Sequence, residues 1–499
     1  MEYAIIHNNA LIHLDEIPKL NYDAFFELNT GLVRDHPERH CVSYFGYRSD
    51  NSLRLICCIA DDNSCEIFVS SCQVSCRQQL EAMTSRALCF ERYEREIHEN
   101  FGIAYLNHPW LKPVRYPFNR ADRSQAIAGY PFYAIDSDEL HEVGVGPIHA
   151  GVIEPGHFRF ICKGEQILHL EIQLGYQHRG VEELFLRRKK LLQRVTLAEN
   201  IAGDTVAGHT VAFSQVWESL SGMEIPRDIL FSRTLALELE RMAIHTGDLA
   251  ALCADVAYQL GNAVYGRLRT PLVNFFQEWG GNRLAKGLIR PGRNNFPFTE
   301  QLASRLKTVL DTYEPDFEEM SRMLFRLPGT LSRFERTGVV STEDLLSIGA
   351  VGMSARMGGL NRDIRSSHPS LLYETLGHQP VIKHHGDVLS RVLLRRDEIR
   401  QSMQYLRQLI QQVPAVSPET EVPVSLQPGM FALSLVEGWR GEICHCAITR
   451  PDGELAHYKI KDPSFHNWMA LALSVRNNEI SDFPICNKSF NLSYCGHDL

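Results

Sequence analysis

The chain has 499 residues, enough for two or three domains that each bury a large core. Apolar residues make up 44% and charged residues 22%, as in an ordinary globular protein. The formal net charge of −9 argues against nucleic acid as a partner, because phosphate binding needs a basic face.

Neither a membrane span nor a leader is visible in the sequence. No apolar run approaches the roughly 18 residues of a spanning helix, and the first residues lack the basic start and apolar core of a signal peptide. We therefore expect a cytoplasmic chain that meets a membrane only through partners. The 13 cysteines contain no pair of CxxC knuckles for zinc, so we interpret them as reduced, half-buried residues.

Residues 1–125 are predicted to form an α/β unit. Residues 41–47 and 53–59 are rich in β-formers, which predicts two strands. Residues 90–103 read as a charged helix that ends at Gly102. A stretch punctuated by prolines follows, and we interpret residues 126–145 as a linker.

Residues 146–499 are predicted to form a second, mainly helical domain with small sheets, which makes the chain α+β overall. Its predicted elements are a hairpin of strands 158–162 and 166–174, a buried helix from Pro226 to about Leu260, an apolar-striped helix over 388–410, a proline-rich loop over 413–428, and strands over 431–436 and 444–448. In the last strand Cys444 and Cys446 fall on one face by period 2.

Several motifs resemble one known pair of subunits. Residues 90–109 are similar to the Complex I 30-kDa subunit of the matrix arm. Residues from 146 onward are similar to its 49-kDa neighbour, which shares a fold with the nickel–iron hydrogenase large subunit. The matching pieces are Gly146-Pro147-Ile148-His149, residues 175–182, Arg290-Pro291-Gly292, Gly386-Asp387, Arg440-Gly441-Glu442 and residues 462–467. The two modules fused in this order resemble the large subunit of energy-converting hydrogenases of the formate hydrogenlyase and hydrogenase-4 type.

The resemblance also identifies what the chain lacks. In the family, four thiolates in two CxxC pairs hold nickel and iron, because soft deprotonated sulfur suits these metals. Alignment on Glu199 and His209 places the first pair at Ala202 and Thr205, and alignment on the C-terminal residues places the second pair at Ser493 and Gly496. The chain also stops at Leu499, without the extension that hydrogenases remove after metal insertion. We therefore expect no nickel–iron centre in this chain.

Two interpretations of the vacated site remain open. In the first it is a pocket like the quinone chamber of Complex I, in which His149 donates a proton to a reduced quinone and Asp204 is the nearby carboxylate. The family's usual tyrosine near Asp204 is missing, which counts against ordinary quinone reduction. In the second interpretation small residues have packed the cavity shut, and His149 is a hydrogen-bonded core histidine.

The motif with His178, Arg179 and Glu182 corresponds to the family's face toward an iron–sulfur subunit. Glu182 is a candidate for a proton relay, and the simpler interpretation is an Arg179–Glu182 ion pair. His209 is retained beside the vacated ligand positions. Together with His149, His178 and Arg179 it is a candidate residue of the pocket or of the face toward the iron–sulfur partner.

The resemblance implies a cytoplasmic subunit, peripheral to the inner face of the membrane, of a Complex I-related complex that couples redox chemistry to ion translocation. Its partners would be an iron–sulfur small subunit and antiporter-like membrane subunits. It would bind no cofactor itself, while the partner carries the iron–sulfur cluster and a quinone is a candidate acceptor. The alternatives are an active nickel–iron hydrogenase of the formate hydrogenlyase type and a purely structural coupling subunit.

Overall fold

The computed structural model describes residues 2–49, 52–149, 153–418 and 425–499. Its helices and strands form two modules that share one sheet. The elements of the N-terminal module are β1 (Ala4–Ile6), β2 (Leu11–His13), β3 (Lys19–Leu20), α1 (Tyr22–Arg34), β4 (Arg39–Ser49), β5 (Ser52–Asp61), β6 (Glu66–Val74), β7 (Gln79–Glu81), α2 (Glu91–Phe101) and β8 (Ala104–Leu106).

The N-terminal module is built on a five-stranded sheet. Its order is β1-β6-β5-β4, with β3 paired to β6, and α1 and α2 pack on it. The side chain of Asn21 caps α1 by accepting from the Ala24 amide at 2.8 Å. Helix α2 ends at Gly102, whose φ of +78° is the left-handed cap conformation that the sequence predicts. The two predicted strands and the predicted charged helix of this module are therefore confirmed.

The second module is mixed but mainly helical. Its first half contains β9 (His141–Val145), β10 (His157–Lys163), β11 (Gln166–Gln173), α3 (Val181–Arg187), α4 (Leu191–Ala198), α5 (Val206–Ser221), α6 (Arg227–Asp255), α7 (Gln259–Gly280), β12 (Ile289–Arg290), β13 (Arg293–Asn294) and α8 (Glu300–Leu324). Its second half contains α9 (Pro328–Phe334), α10 (Thr342–Ser347), α11 (Met353–Arg356), α12 (Ile364–Ser367), α13 (Tyr373–Leu376), α14 (Val388–Leu409), β14 (Met430–Glu437), β15 (Glu442–Thr449), β16 (Leu455–Lys461), α15 (Ser464–Ser474), α16 (Phe483–Phe490) and α17 (Tyr494–Asp498).

Most predicted elements of this module are present, and the differences have local causes. The helix predicted to reach about Leu260 ends at Asp255, because Ala257 adopts a positive φ of 58° and α7 starts at Gln259. The last five residues of the interval interpreted as a linker, 141–145, form β9 against β10. Residues 413–418 and 425–429 contain no helix or strand, and the rest of the predicted loop lies outside the described residues.

The modules are joined through a four-stranded sheet with the order β16-β15-β14-β2. Strand β2 comes from the N-terminal module and pairs antiparallel with β14, so that Ile12 lies opposite Phe431. Helix α5 packs on β14 and β15. This sheet therefore brings residues far apart in the sequence to one site. No helix in the described ranges is long and apolar enough to cross a membrane.

A buried ionic cluster fixes the turn between β14 and β15. Arg356 bonds to Glu398 of α14 at 2.5 Å and to Glu437 of β14 at 2.6 Å, and all three side chains are at most 1% exposed. Arg241 of α6 donates to the carbonyls of Glu437 and Gly438 at 2.8 and 3.2 Å. Because an unpaired buried charge costs several kcal/mol, this cluster holds the turn in one place. The turn carries Arg440.

Candidate functional site

The vacated ligand loop lies between α4 and α5 and is anchored at its start. The Glu199 carboxylate accepts from Arg290 Nη1 at 2.6 Å and from the Gly287 amide at 2.8 Å. Ala202 and Thr205, the first two ligand positions, are 0% exposed. The Thr205 methyl packs so closely on the backbone of Gly208 and Gly438 that an added Cβ would lie 3.0 and 3.3 Å from it. The Thr205 side chain is therefore closely packed on its neighbours.

An ion pair lies across the loop. Arg440 Nη1 and Nη2 donate to the two carboxylate oxygens of Asp204, each at 2.7 Å, a bidentate arrangement. Nη1 also reaches the Thr205 hydroxyl at 3.1 Å, and Nε donates to the Asn491 carbonyl at 2.5 Å. The guanidinium lies 4.0 Å from the Trp439 ring centre. The Arg440 side chain is 4% exposed and that of Asp204 36%, so one charge is buried while its partner reaches the surface.

The other two ligand positions lie at α17. The Ser493 hydroxyl accepts from the Gly496 amide at 2.8 Å and so acts as a helix cap. A Cβ at Gly496 would lie 2.6 Å from Asp462 Oδ2, closer than real Cβ contacts come. The Asp462 carboxylate therefore occupies the space into which a side chain at position 496 would extend.

The residues present do not fit a nickel–iron centre. Four thiolates are needed, and the four positions supply a methyl group, two hydroxyls and a hydrogen. Cys495 lies between the last two positions, but burial and the neighbouring Glu154 raise the pKa of its thiol to about 11. One thiol beside the last two positions does not replace four thiolates.

A polar chain of buried side chains starts at Asp462. Its carboxylate lies 3.0 Å from His209 Nε2, and His209 Nδ1 lies 3.1 Å from His445 Nε2. His445 Nδ1 then lies 2.8 Å from the Tyr458 hydroxyl. None of the four residues is more than 1% exposed. Burial, together with the neighbouring His209, holds the pKa of His445 well below its ordinary value.

His149 follows β9, in the segment that leads to β10. Its Nε2 lies 3.1 Å from the Gly156 carbonyl, and an added Cβ at Gly156 would lie 2.6 Å from the Tyr494 ring. Gly156 thus packs against Tyr494 of α17. In the part of the chain that the structure describes, Asp204 bonds to Arg440 and has no hydrogen bond to His149. The two residues predicted to act together are held by different partners.

The motif of residues 175–182 is docked on the last residues of the chain. The Asp498 carboxylate accepts from the amides of Gly175 and Gln177 at 2.8 and 2.9 Å, and burial raises the pKa of Asp498 to about 6. His178 Nδ1 lies 2.7 Å from the Asp498 carbonyl. Burial lowers the pKa of His178, which keeps the imidazole neutral.

The predicted Arg179–Glu182 ion pair is wrong. Arg179 instead donates to the backbone carbonyls of Asn200, Ile201 and Cys495. Glu182 lies 3.1 Å from Lys459 Nζ and accepts from the Ile460 amide at 2.9 Å. The physical reason is that Arg179 precedes α3 and faces the ligand loop, while Glu182 in the first turn of α3 faces strand β16.

Sequence reasoning singled out Asp204 and His209 but missed their partners. Arg440 and Asp462 both lie in motifs that carried the family resemblance, and neither was given a role. The sequence marks His445 only by its place between two cysteines. The sulfurs of these cysteines lie 3.7 Å apart on one face, as period 2 predicts. A search for charged residues in the resembling motifs would have found Arg440 and Asp462. Nothing in the sequence marks Tyr458.

The chain is similar to several known proteins. Residues 260–429 match the family of the respiratory-chain NADH dehydrogenase 49 Kd subunit. Hydrogenase-4 component G of Escherichia coli K12 is 26% identical over 448 residues, covering 86% of this chain and 78% of that protein. The C/D subunit of the NADH-quinone oxidoreductase of Phocaeicola vulgatus is 25% identical over 470 residues, covering 87% of this chain and 90% of that protein.

The chain's homologues are thus subunits of hydrogenases and of NADH-quinone oxidoreductases. A solved chain of the membrane-bound sulfane sulfur reductase, an archaeal respiratory membrane complex, has a TM-score of 0.68 at 23% identity, covering 74% of this chain and all of that one. At this identity the likeness establishes the fold alone. The predicted resemblance and the α+β class of this Complex I-type large subunit homologue are thus confirmed.

Proposed function

We propose that this chain is the large subunit of a membrane-associated redox complex related to Complex I, peripheral to the inner face of the membrane, and that it works without nickel and iron. The observation that supports this most directly is the bidentate Asp204–Arg440 pair across the former ligand loop. Asp462 fills the space at Gly496 on the opposite side. The names of the relatives, which include both hydrogenases and NADH-quinone oxidoreductases, support membership in such a complex.

Metal analysis tests the metal-free part of the proposal. The complex is purified from native membranes through a tag on this chain, and nickel and iron are measured by plasma mass spectrometry alongside hydrogen-dependent viologen reduction. We expect iron from the partner's clusters, only trace nickel and no hydrogen uptake. Cys495→Ser serves as the matched variant, because this thiol lies between the last two ligand positions. Stoichiometric nickel that falls in Cys495→Ser, together with hydrogen uptake, would establish an active hydrogenase.

We further propose that electrons from an iron–sulfur partner reach a quinone-like acceptor beside α17. Two electrons and two protons convert a quinone to its hydroquinone. His149 in its imidazolium form would supply one proton at a quinone oxygen from its Nδ1–H, since its Nε2–H donates to the Gly156 carbonyl, and the second proton would come from solvent. Asp204 would act through its charge, because both of its oxygens are bonded to Arg440. Glu154, whose charge acts on Cys495 and Tyr494 of α17, would add a negative charge beside the proposed acceptor.

Turnover of the intact complex tests the acceptor site. Membranes that carry His149→Ala are compared with wild type for reduction of a short-chain quinone analogue, with His141→Ala as the control because that exposed histidine lies in the same hairpin. A loss on the order of 100-fold is expected for His149→Ala, the low end of what a positioned proton donor contributes, and none for the control. Unchanged turnover in His149→Ala and Asp204→Ala, with normal assembly, would favour the purely structural coupling role.

A further inference from the structure

Asp462, His209, His445 and Tyr458 form an unbroken line of hydrogen bonds, and its two ends lie at different places. One end is the Asp462 carboxylate, in contact with Gly496 at the former metal site. The other end, Tyr458, lines a cavity of about 240 Å³ between the two modules. We propose that this line is a proton relay from the intermodule cavity to the former ligand site, an inference that rests on the proposed function for what consumes the proton.

The elements that carry the relay are held rigidly. His209 is in the first turn of α5, while His445 and Tyr458 are on the neighbouring strands β15 and β16. The Tyr458 ring stacks on Phe185 with ring centres 4.4 Å apart and planes 11° apart. Asp462 follows β16 directly and also accepts from the Ser464 amide at 2.8 Å. Each donor and acceptor is therefore kept at hydrogen-bond distance by packed helices and strands.

The hydrogen bonds admit two consistent directions. In the first, Tyr458 donates to His445 Nδ1, His445 Nε2–H donates to His209 Nδ1, and His209 Nε2–H donates to Asp462, with both imidazoles neutral. In the second, His209 carries an extra proton, so its Nδ1–H donates to His445, whose Nδ1–H donates to the Tyr458 oxygen. The two states differ by one added proton, by the tautomer of His445 and by the direction of two hydrogen bonds, while the heavy-atom partners stay the same.

The step that interconverts these states conserves the number of protons. A proton from the cavity binds the Tyr458 oxygen as the phenol's own proton moves to His445 Nδ1. The proton on His445 Nε2 moves to His209 Nδ1, which leaves an imidazolium beside the Asp462 carboxylate. His445 passes the charge on without keeping it, because burial and the neighbouring His209 disfavour its protonated form. The delivered proton is held at His209, next to the former ligand positions.

The cavity end has groups that can supply protons. Besides Tyr458 its lining includes Glu182, Glu99 and His178. Glu182 contacts Lys459, the residue that follows Tyr458, at 3.1 Å. Burial raises the pKa of Glu99, so this carboxyl holds a proton to higher pH than usual. These contacts give Glu182, the proton-relay candidate from the sequence, a place at the entrance rather than along the line.

Exchange of the imidazole N–H protons with solvent tests the relay without any turnover. The full chain labelled with ¹⁵N-histidine is transferred to D₂O, and the ring N–H resonances of His209 and His445 are followed by NMR. A relay predicts exchange faster than that of the surrounding backbone amides. Tyr458→Phe, which keeps the ring stack but removes the hydroxyl, should slow ring exchange on the order of 100-fold. Tyr265→Phe is the control, because its buried phenol bonds to Ser321 in the helical region.

Two outcomes would overturn the relay. Equal ring exchange in wild type, Tyr458→Phe and Tyr265→Phe would mean that solvent reaches the histidines by opening of the fold. Faster backbone exchange in Tyr458→Phe would mean that the phenol only holds the strands together. Since neither quinone nor electrons enter this measurement, a failed relay and a failed acceptor site give separate results.

Discussion

Replacing Asp204 with asparagine tests whether the Arg440 pair is an integral part of the fold. Asparagine keeps the size of the side chain and one acceptor oxygen, but it turns a donor toward Nη2 and leaves the guanidinium uncompensated. Removing one partner of a fully buried pair costs about 3–5 kcal/mol, whereas an exposed pair contributes about 0–1 kcal/mol. Arg440 is 4% exposed and Asp204 36%, so we expect an intermediate loss of about 2 kcal/mol.

Urea unfolding followed by tryptophan fluorescence measures this loss, because the Trp439 ring lies under the guanidinium. The matched control is Asp316→Asn, since Asp316 pairs with Arg267 where both side chains are over 40% exposed. That change should cost less than about 1 kcal/mol.

A double-mutant cycle separates the interaction free energy of Asp204 with Arg440 from the contribution of each side chain's other contacts. Arg440→Met keeps an unbranched stem over Trp439 and leaves Asp204 partly hydrated. The double variant should be more stable than the sum of the single losses predicts, with a coupling free energy of about 1–2 kcal/mol. A loss below about 0.5 kcal/mol for Asp204→Asn, with no coupling, would refute the reasoning, since that is how an ordinary surface pair behaves.

Three further changes follow from contacts near the site. Gly496→Ala should lower the free energy of unfolding by about 1–3 kcal/mol, because its Cβ would overlap Asp462, while Gly203→Ala, with no atom within 4 Å of its Cβ, should be neutral in the same urea assay. Gly352→Ala should cost more than about 3 kcal/mol or abolish soluble expression, because φ is +60° and the Cβ would lie 2.0 Å from Gly441 Cα. Burial raises the pKa of Glu240 to about 8, above its unfolded value of about 4.3. The folded state therefore keeps a proton that the unfolded state loses, so this contribution is complete below the unfolded pKa and disappears as the pH rises through about 8. Stability measured from pH 5 to 8 should fall less steeply in Glu240→Gln than in wild type, and parallel curves would contradict the assignment.

Local patterns predicted much of the fold. The stripe over 388–410 predicted α14, and Gly102 predicted the end of α2. Runs rich in β-formers predicted β4 and β5, and strand patterns predicted β14 and β15, because such local patterns depend on near neighbours. The end of α6 was less well predicted, since the positive φ of Ala257 has no marker in the sequence. The pairing of β2 with β14 joins residues over 400 positions apart in the chain and could not be read from either segment alone.

The sequence by itself determined what the site lacks: alanine, threonine, serine and glycine cannot supply thiolates wherever they lie. Only the tertiary structure decided what stands there instead. Asp204 meets Arg440, and His209 meets Asp462 and His445, because the sheet and α17 bring segments more than 200 residues apart to one place. A residue's side-chain chemistry is known from the sequence, whereas its hydrogen-bond partners depend on the fold. The absence of thiolates could therefore be predicted, and the ion pair and the buried chain of hydrogen bonds could not.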